Sequence, residues 1–154
     1  MILRPGITSF FESRTRGSLP EYLIGDFRRL VHAVAASQDW TVASIANSGV
    51  TPNFHVAELE SPNRSIFILG HSNYPIVAFA EEVSDTDQRL QFVDDPEIAS
   101  DISRLFPDVA IADAADLNRS ITEDDLAQLA PTDRKQVEYW KPRTVGQLAF
   151  NWWD

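Results

Sequence analysis

Apolar residues recur along the chain in two periods, and the switches between them divide it into three parts. From about Ser18 to Ala36 the period is helical. Leu23, Phe27, Leu30, Val31 and Val34 fall at i, i+4, i+7, i+8 and i+11, a single stripe, with Asp26, Arg28 and Arg29 off it. Ser18 and Glu21 have capping-box spacing and Pro20 suits a first turn, so the pattern predicts a helix that starts near Ser18. Between Trp40 and Val93 short β-branched and aromatic runs are separated by turn residues at Ser48-Gly49, Ser61-Pro62-Asn63, His71-Ser72-Asn73 and Ser84-Asp85-Thr86-Asp87. These predict strands over 40–46, 54–60, 65–70, 76–82 and 89–93, with connections short enough for an antiparallel meander. Ile66 to Leu69 and Ile76 to Phe79 lack polar alternation, which predicts central strands covered on both faces.

Helical signals return after Asp95. Pro96 suits a first turn, and Ile98, Ile102, Leu105 and Phe106 are spaced for one face. A linker follows. Thr122 with Asp125 predicts a short helix through Leu129, Thr132 a cap for another that carries Val137 and Trp140, and Thr144 a cap for a last helix ending near Trp153. The expected class is α+β in one domain, 1–154, with a helical C-terminal third packed on the sheet.

Composition removes several chemistries. The chain has no Cys, which excludes disulfides, Cys-ligated zinc, iron–sulfur clusters and thiol catalysis. No apolar run has signal-peptide or membrane-spanning length, so the expectation is an unexported, cytoplasmic protein without a membrane partner. The formal charge is −10, and it is unevenly spread: residues 81–133 carry 15 acidic and 3 basic groups. The carboxylates cluster as Glu81, Glu82, Asp85 and Asp87, then Asp94, Asp95, Glu97 and Asp101, then Glu123, Asp124 and Asp125. Such a field repels nucleic-acid phosphates and attracts a basic protein, so these residues are the candidate partner-binding set. The structural alternative is a solvated surface with helix-capping carboxylates.

Residue patterns that carry catalysis are scarce. His32, His55 and His71 sit in no metal or nucleophile motif, although His55 and His71 could meet across adjacent strands. Asp85 with Asp87 and Asp94 with Asp95 lack the glycine and terminal Glu of a calcium loop. There is no glycine-rich phosphate loop, nucleophile elbow or dinucleotide fingerprint, and no cofactor or metal is expected. A second reading keeps a small enzyme or ligand-binding domain, with a pocket between sheet and C-terminal helices and Tyr74, His71, His55 and Asn73 as first candidates.

Three of the four Trp lie in the last fifteen residues. Helical phase puts Val145, Leu148, Ala149 and Trp152 on a core face and turns Phe150 and Trp153 about a third of a turn away. Trp140, Pro142, Thr144, Gly146, Phe150, Asn151, Trp152 and Asp154 form a pattern that resembles the tail of small bacterial immunity proteins encoded beside polymorphic toxins, as in contact-dependent growth inhibition. The resemblance implies a non-enzymatic antitoxin that binds one cognate toxin domain and blocks its active site or an essential surface. A general interaction module is the third reading.

Overall fold

The computed structural model describes residues 3–11, 19–49 and 51–154. Helix α1 (Ile24–Gln38) leads into a meander of β1 (Thr41–Ala46), β2 (Phe54–Glu60), β3 (Ser65–His71), β4 (Ile76–Ser84) and β5 (Arg89–Val93). After it come α2 (Pro96–Leu105), the short β6 (Ala110–Ile111), α3 (Ala114–Asn118), α4 (Glu123–Ala127), α5 (Pro131–Trp140) and α6 (Val145–Ala149). The strands are ordered β1-β2-β3-β4-β5, all antiparallel, while β6 runs parallel to the first residues of β4. The expected α+β meander with helices before and after it is what the chain forms.

The sheet is covered on both faces, which explains the unbroken apolar runs of β3 and β4. One face packs on α1 and α2 through Phe27, Leu30, Val34, Ala57, Ile68, Phe79, Ile98 and Ile102. The other packs on α3–α6 through Phe54, Leu69, Phe92, Leu117, Val145, Leu148 and Phe150. At α6 the two layers meet closely: a Cβ on Gly146 would lie 2.4 Å from Phe92 Cε2 and 2.9 Å from the Leu117 carbonyl oxygen, so only glycine fits.

Several boundaries differ from the sequence reading, each for a local reason. Helix α1 starts at Ile24, with Leu23 at its N-cap and no side-chain cap; Ser18 lies outside the described residues. The preceding chain is instead drawn along the β3–β4 turn. Tyr22 N–H donates to Ser72 O at 2.9 Å, and the Tyr22 carbonyl lies 2.6 Å from His55 Nε2. Leu23, expected on the buried stripe, is therefore 54% exposed. The linker after α2 holds β6 and α3, both too short to leave a periodic signal. The N-cap of α5 is Ala130, its N–H taken by the Asp133 carboxylate at 3.0 Å, so Thr132 lies inside the helix.

The largest correction concerns the tail. Helix α6 stops at Ala149, where the Asn151 side chain takes over by donating to Leu148 O and accepting from Trp153 N–H. Phe150 is extended and residues 151–154 lie in no helix or strand, so the helical phase does not carry through them. Phe150 and Trp153 are buried, and Trp152 is the half-exposed one.

Candidate functional site

The acidic clusters divide into those the fold uses and those it leaves in water. Asp95 caps α2 through Ile98 N–H and pairs with Arg64 at 2.7 Å. Asp101 accepts from Gln38 and Arg104 at the α1–α2 contact, and these donors hold its carboxyl below the usual range. Asp125 is buried beneath Arg119, which reaches it at 2.6 and 2.8 Å and also holds Asp116. That guanidinium, with the Thr122 cap, lowers the Asp125 pKa to about 2. These three carboxylates are internal struts and are not available to a partner.

The others stay at least partly accessible, on the β4–β5 hairpin, directly after β5 and on α4. Glu81 sits at a bulge in β4 and accepts from Gln91, and Glu82 pairs with Arg89. Asp85 and Asp87 are exposed on the β4–β5 turn. Asp94, exposed, follows β5 and caps α3 through Ala114 N–H at 2.9 Å. Glu97 opens α2, and Glu123 and Asp124 open α4.

Against the same hairpin the structure opens a cleft of about 420 Å³. Its other wall is the α5–α6 junction and the tail after α6, so Trp140, Pro142, Thr144, Phe150, Asn151 and Trp152 all line it. Two sequence signals read separately, the acidic run and the aromatic tail, thus converge at one place. Trp152 Nε1–H donates to Asp85 at 3.1 Å, and its ring stands edge-on to Phe54. Trp140 and Trp153 are parallel to within 3°, with ring centres 6.0 Å apart. Tyr139, 76% exposed, extends the aromatic surface outward from Trp140. Position within an amphipathic helix gave no signal for this cleft, because it forms between segments some fifty residues apart in sequence.

The tail residues also have structural tasks. Thr144 caps α6, Gly146 allows its close approach to Phe92, Phe150 fills the core beside Phe54 and Phe92, and Asn151 pairs with Asn53. Asp154 is exposed at the end of the chain.

The histidines do not form a site. Register pairs His71 with Phe54 and His55 with Gly70, so the two rings point to opposite faces of the sheet. His71 Nδ1 accepts from Asn73 N–H at 3.0 Å while Nε2–H donates to Ile7 O at 2.7 Å. Full burial holds its pKa down to about 4. His55 accepts from Ser48 N–H and donates to Tyr22 O, and burial lowers its pKa as well. Both are neutral rings whose two nitrogens are spent on backbone. Tyr74 donates its hydroxyl to Pro5 O and Asn73 its amide to Pro20 O, so the four residues pin loops together. Among the described residues no group of three or more His, Cys, Asp or Glu is placed to hold a metal ion, and no helix is long and apolar enough to cross a membrane. No family model, no curated protein and no solved structure matches the chain.

Proposed function

We propose that this protein is a cytoplasmic immunity protein, a non-catalytic antitoxin that binds one basic toxin domain and occludes its active site or an essential surface. The observation that carries the reading is the set of exposed carboxylates on the β4–β5 hairpin and directly after β5 (Glu81, Asp85, Asp87, Asp94 and Glu97), with an aromatic cleft against the same hairpin. Opposite charge raises the encounter rate and fixes register, while a desolvated aromatic contact slows dissociation. Inhibition of this kind is stoichiometric and needs no catalytic group. The same negative set disfavours nucleic acid as a direct ligand.

The test starts with gene order: an immunity gene lies directly downstream of a large secreted, toxin-tipped reading frame. The C-terminal domain of that upstream product should co-purify with this chain, and co-expression should rescue growth. Charge reversal belongs at Glu81, Asp87 and Glu97. Asp94 and Asp95 cap helices, so reversing them would damage the fold. Reversal of the exposed set should slow association about tenfold or more, with the deficit shrinking at high salt. Unchanged kinetics would exclude this set as the interface.

A further inference from the structure

We infer that the free edge of β1 pairs with β1 of a second copy of this chain, antiparallel about a two-fold axis between Ala43 and Ser44, and joins the two sheets into one. The inference goes beyond the inhibitor reading and does not depend on it. β1 and β5 are opposite edges of the sheet, so the paired form keeps both acidic hairpins open to a partner.

Among the described residues β1 has one neighbour in the sheet, β2, so one side of its backbone has no ladder. Open edges are ordinarily blunted by charge, by proline, by a bulge or by a covering element. The β5 edge follows that rule: it exposes Arg89 and Gln91, lies between Asp87 and Asp94, and has α3 against it. β1 carries neither charge nor proline, and no Asp, Glu, Lys or Arg occurs between Asp39 and Glu58. Thr41, Ala43, Ser44 and Ala46 are exposed, while Val42 and Ile45 are half-buried at the rim of the core under α1.

β1 does have a bulge, and the bulge selects the occupant. In a regular strand residues three apart face opposite ways. Here the register steps from Val42 opposite Leu59 to Ser44 opposite Glu58, with Ala43 as the extra residue, so Val42 and Ile45 both face α1. A regular strand laid on this edge is out of step with it. A second β1 brings the same extra residue, and two-fold pairing sets Val42 against Ile45, Thr41 against Ala46 and Ala43 against Ser44 on both sides of the axis. Directly opposed residues share a face, and each of these pairs does, Val42 and Ile45 towards α1 and the others towards the side of Glu58. The contact is isologous, the commonest form of homodimer, and it seals two half-open apolar pairs.

Charge favours this edge over the rest of the surface. The chain carries −10, so copies repel each other wherever carboxylates meet. Across the paired edges the nearest acidic strand is β2, with Glu58 and Glu60. The two β2 strands stand three strand spacings apart, about 14 Å, which exceeds the Debye length of about 8 Å at physiological salt.

Sedimentation of the full chain by itself tests the pairing. The expected result is a monomer–dimer equilibrium with Kd on the order of 10 µM, as for a small interface, tightening as salt screens the net charge. Charge-steered binding to a basic partner has the opposite salt dependence. Ser44→Lys and Ser44→Glu alter an exposed side chain beside the axis and should each raise Kd about fivefold, because like charges then face each other. An equimolar mixture of the two should associate at least as well as the unaltered chain, and Gln91→Lys on the far edge should change nothing. A chain still monomeric at about 200 µM overturns the inference and leaves the edge to a strand of another protein. A dimer indifferent to both Ser44 variants, a mixture no more associated than its components, or a dimer weakened by Gln91→Lys also overturns it. Should a charged variant melt early, Ser44→Cys takes its place: the chain has no other thiol, and position 44 comes within disulfide reach of its counterpart across the axis. Failure to cross-link under mild oxidation is then the overturning result. Co-purification and growth rescue decide the inhibitor reading separately.

Discussion

Asn53 and Asn151 hold each other reciprocally: Asn53 N–H donates to Asn151 O at 3.0 Å, and Asn151 N–H donates to Asn53 Oδ1 at 2.8 Å. The Asn53 amide also reaches Ala149 O at 2.9 Å, so one side chain at the start of β2 fixes the end of α6 and the tail that walls the cleft. Asn53→Ala leaves buried backbone groups of Ala149 and Asn151 unsatisfied, and each such group costs about 1–3 kcal/mol. Urea denaturation should show a loss of about 2–4 kcal/mol. A loss under 0.5 kcal/mol would mean that water replaces the amide.

Asp133 performs the same task for the N-terminal loop. Wholly buried in α5, it accepts from Gly6 N–H at 2.8 Å, from Thr8 Oγ1–H at 2.5 Å and from Ala130 N–H. Gly6 has φ +86°, which lets the loop wrap the carboxylate without side-chain strain. In Asp133→Ala the Gly6 and Thr8 amides lose their acceptor, so their hydrogen exchange should accelerate at least tenfold more than that of β3 amides. Uniform acceleration would show a global effect instead.

Gly146→Ala tests the closest interlayer contact. The added methyl meets Phe92 and a backbone oxygen of Leu117, and overpacking of this kind costs about 1–3 kcal/mol. For a chain of this size that lowers Tm by roughly 2–12 °C. An unchanged Tm would mean that α6 shifts freely, against the packing described.

The pH dependence has a defined sign. His71 takes up a proton near pH 6.5 when unfolded but only near 4 when folded, because burial disfavours the cation. Its contribution is complete above 6.5 and disappears as pH falls from 6.5 towards 4, a loss of about 3 kcal/mol. His55 acts in the same direction. Asp125, held at about 2 by Arg119, contributes above its ordinary 3.8 and is lost only as pH falls further. Stability measured from pH 7.5 to 4.5 should fall more steeply in the unaltered chain than in His71→Gln; equal slopes would remove His71 as the cause.

The strands were legible because their period and composition are local. β2 and β5 match the expected ranges of 54–60 and 89–93, and the apolar runs of β3 and β4 do lie between two helical layers. Thr144 and Thr122 cap the helices they precede. The start of α1 was not legible, since hydrogen bonds to Ser72 and His55 outweigh capping-box spacing. The burial of Trp153 and exposure of Trp152 were hidden because Asn151 ends the helical phase before them. Nor does residue type separate Asp125, beneath an arginine, from Asp124, in water.

Sequence alone determined the α+β class, the strand order of a meander, the acidic balance and the absence of thiol chemistry, because these follow from local period, short connections and atom counts. Tertiary structure alone decided which carboxylates remain free and that the aromatic tail faces the acidic hairpin across a cleft. Those outcomes depend on groups distant in the chain competing for the same hydrogen bonds, and that competition is settled only when both faces of the sheet are packed.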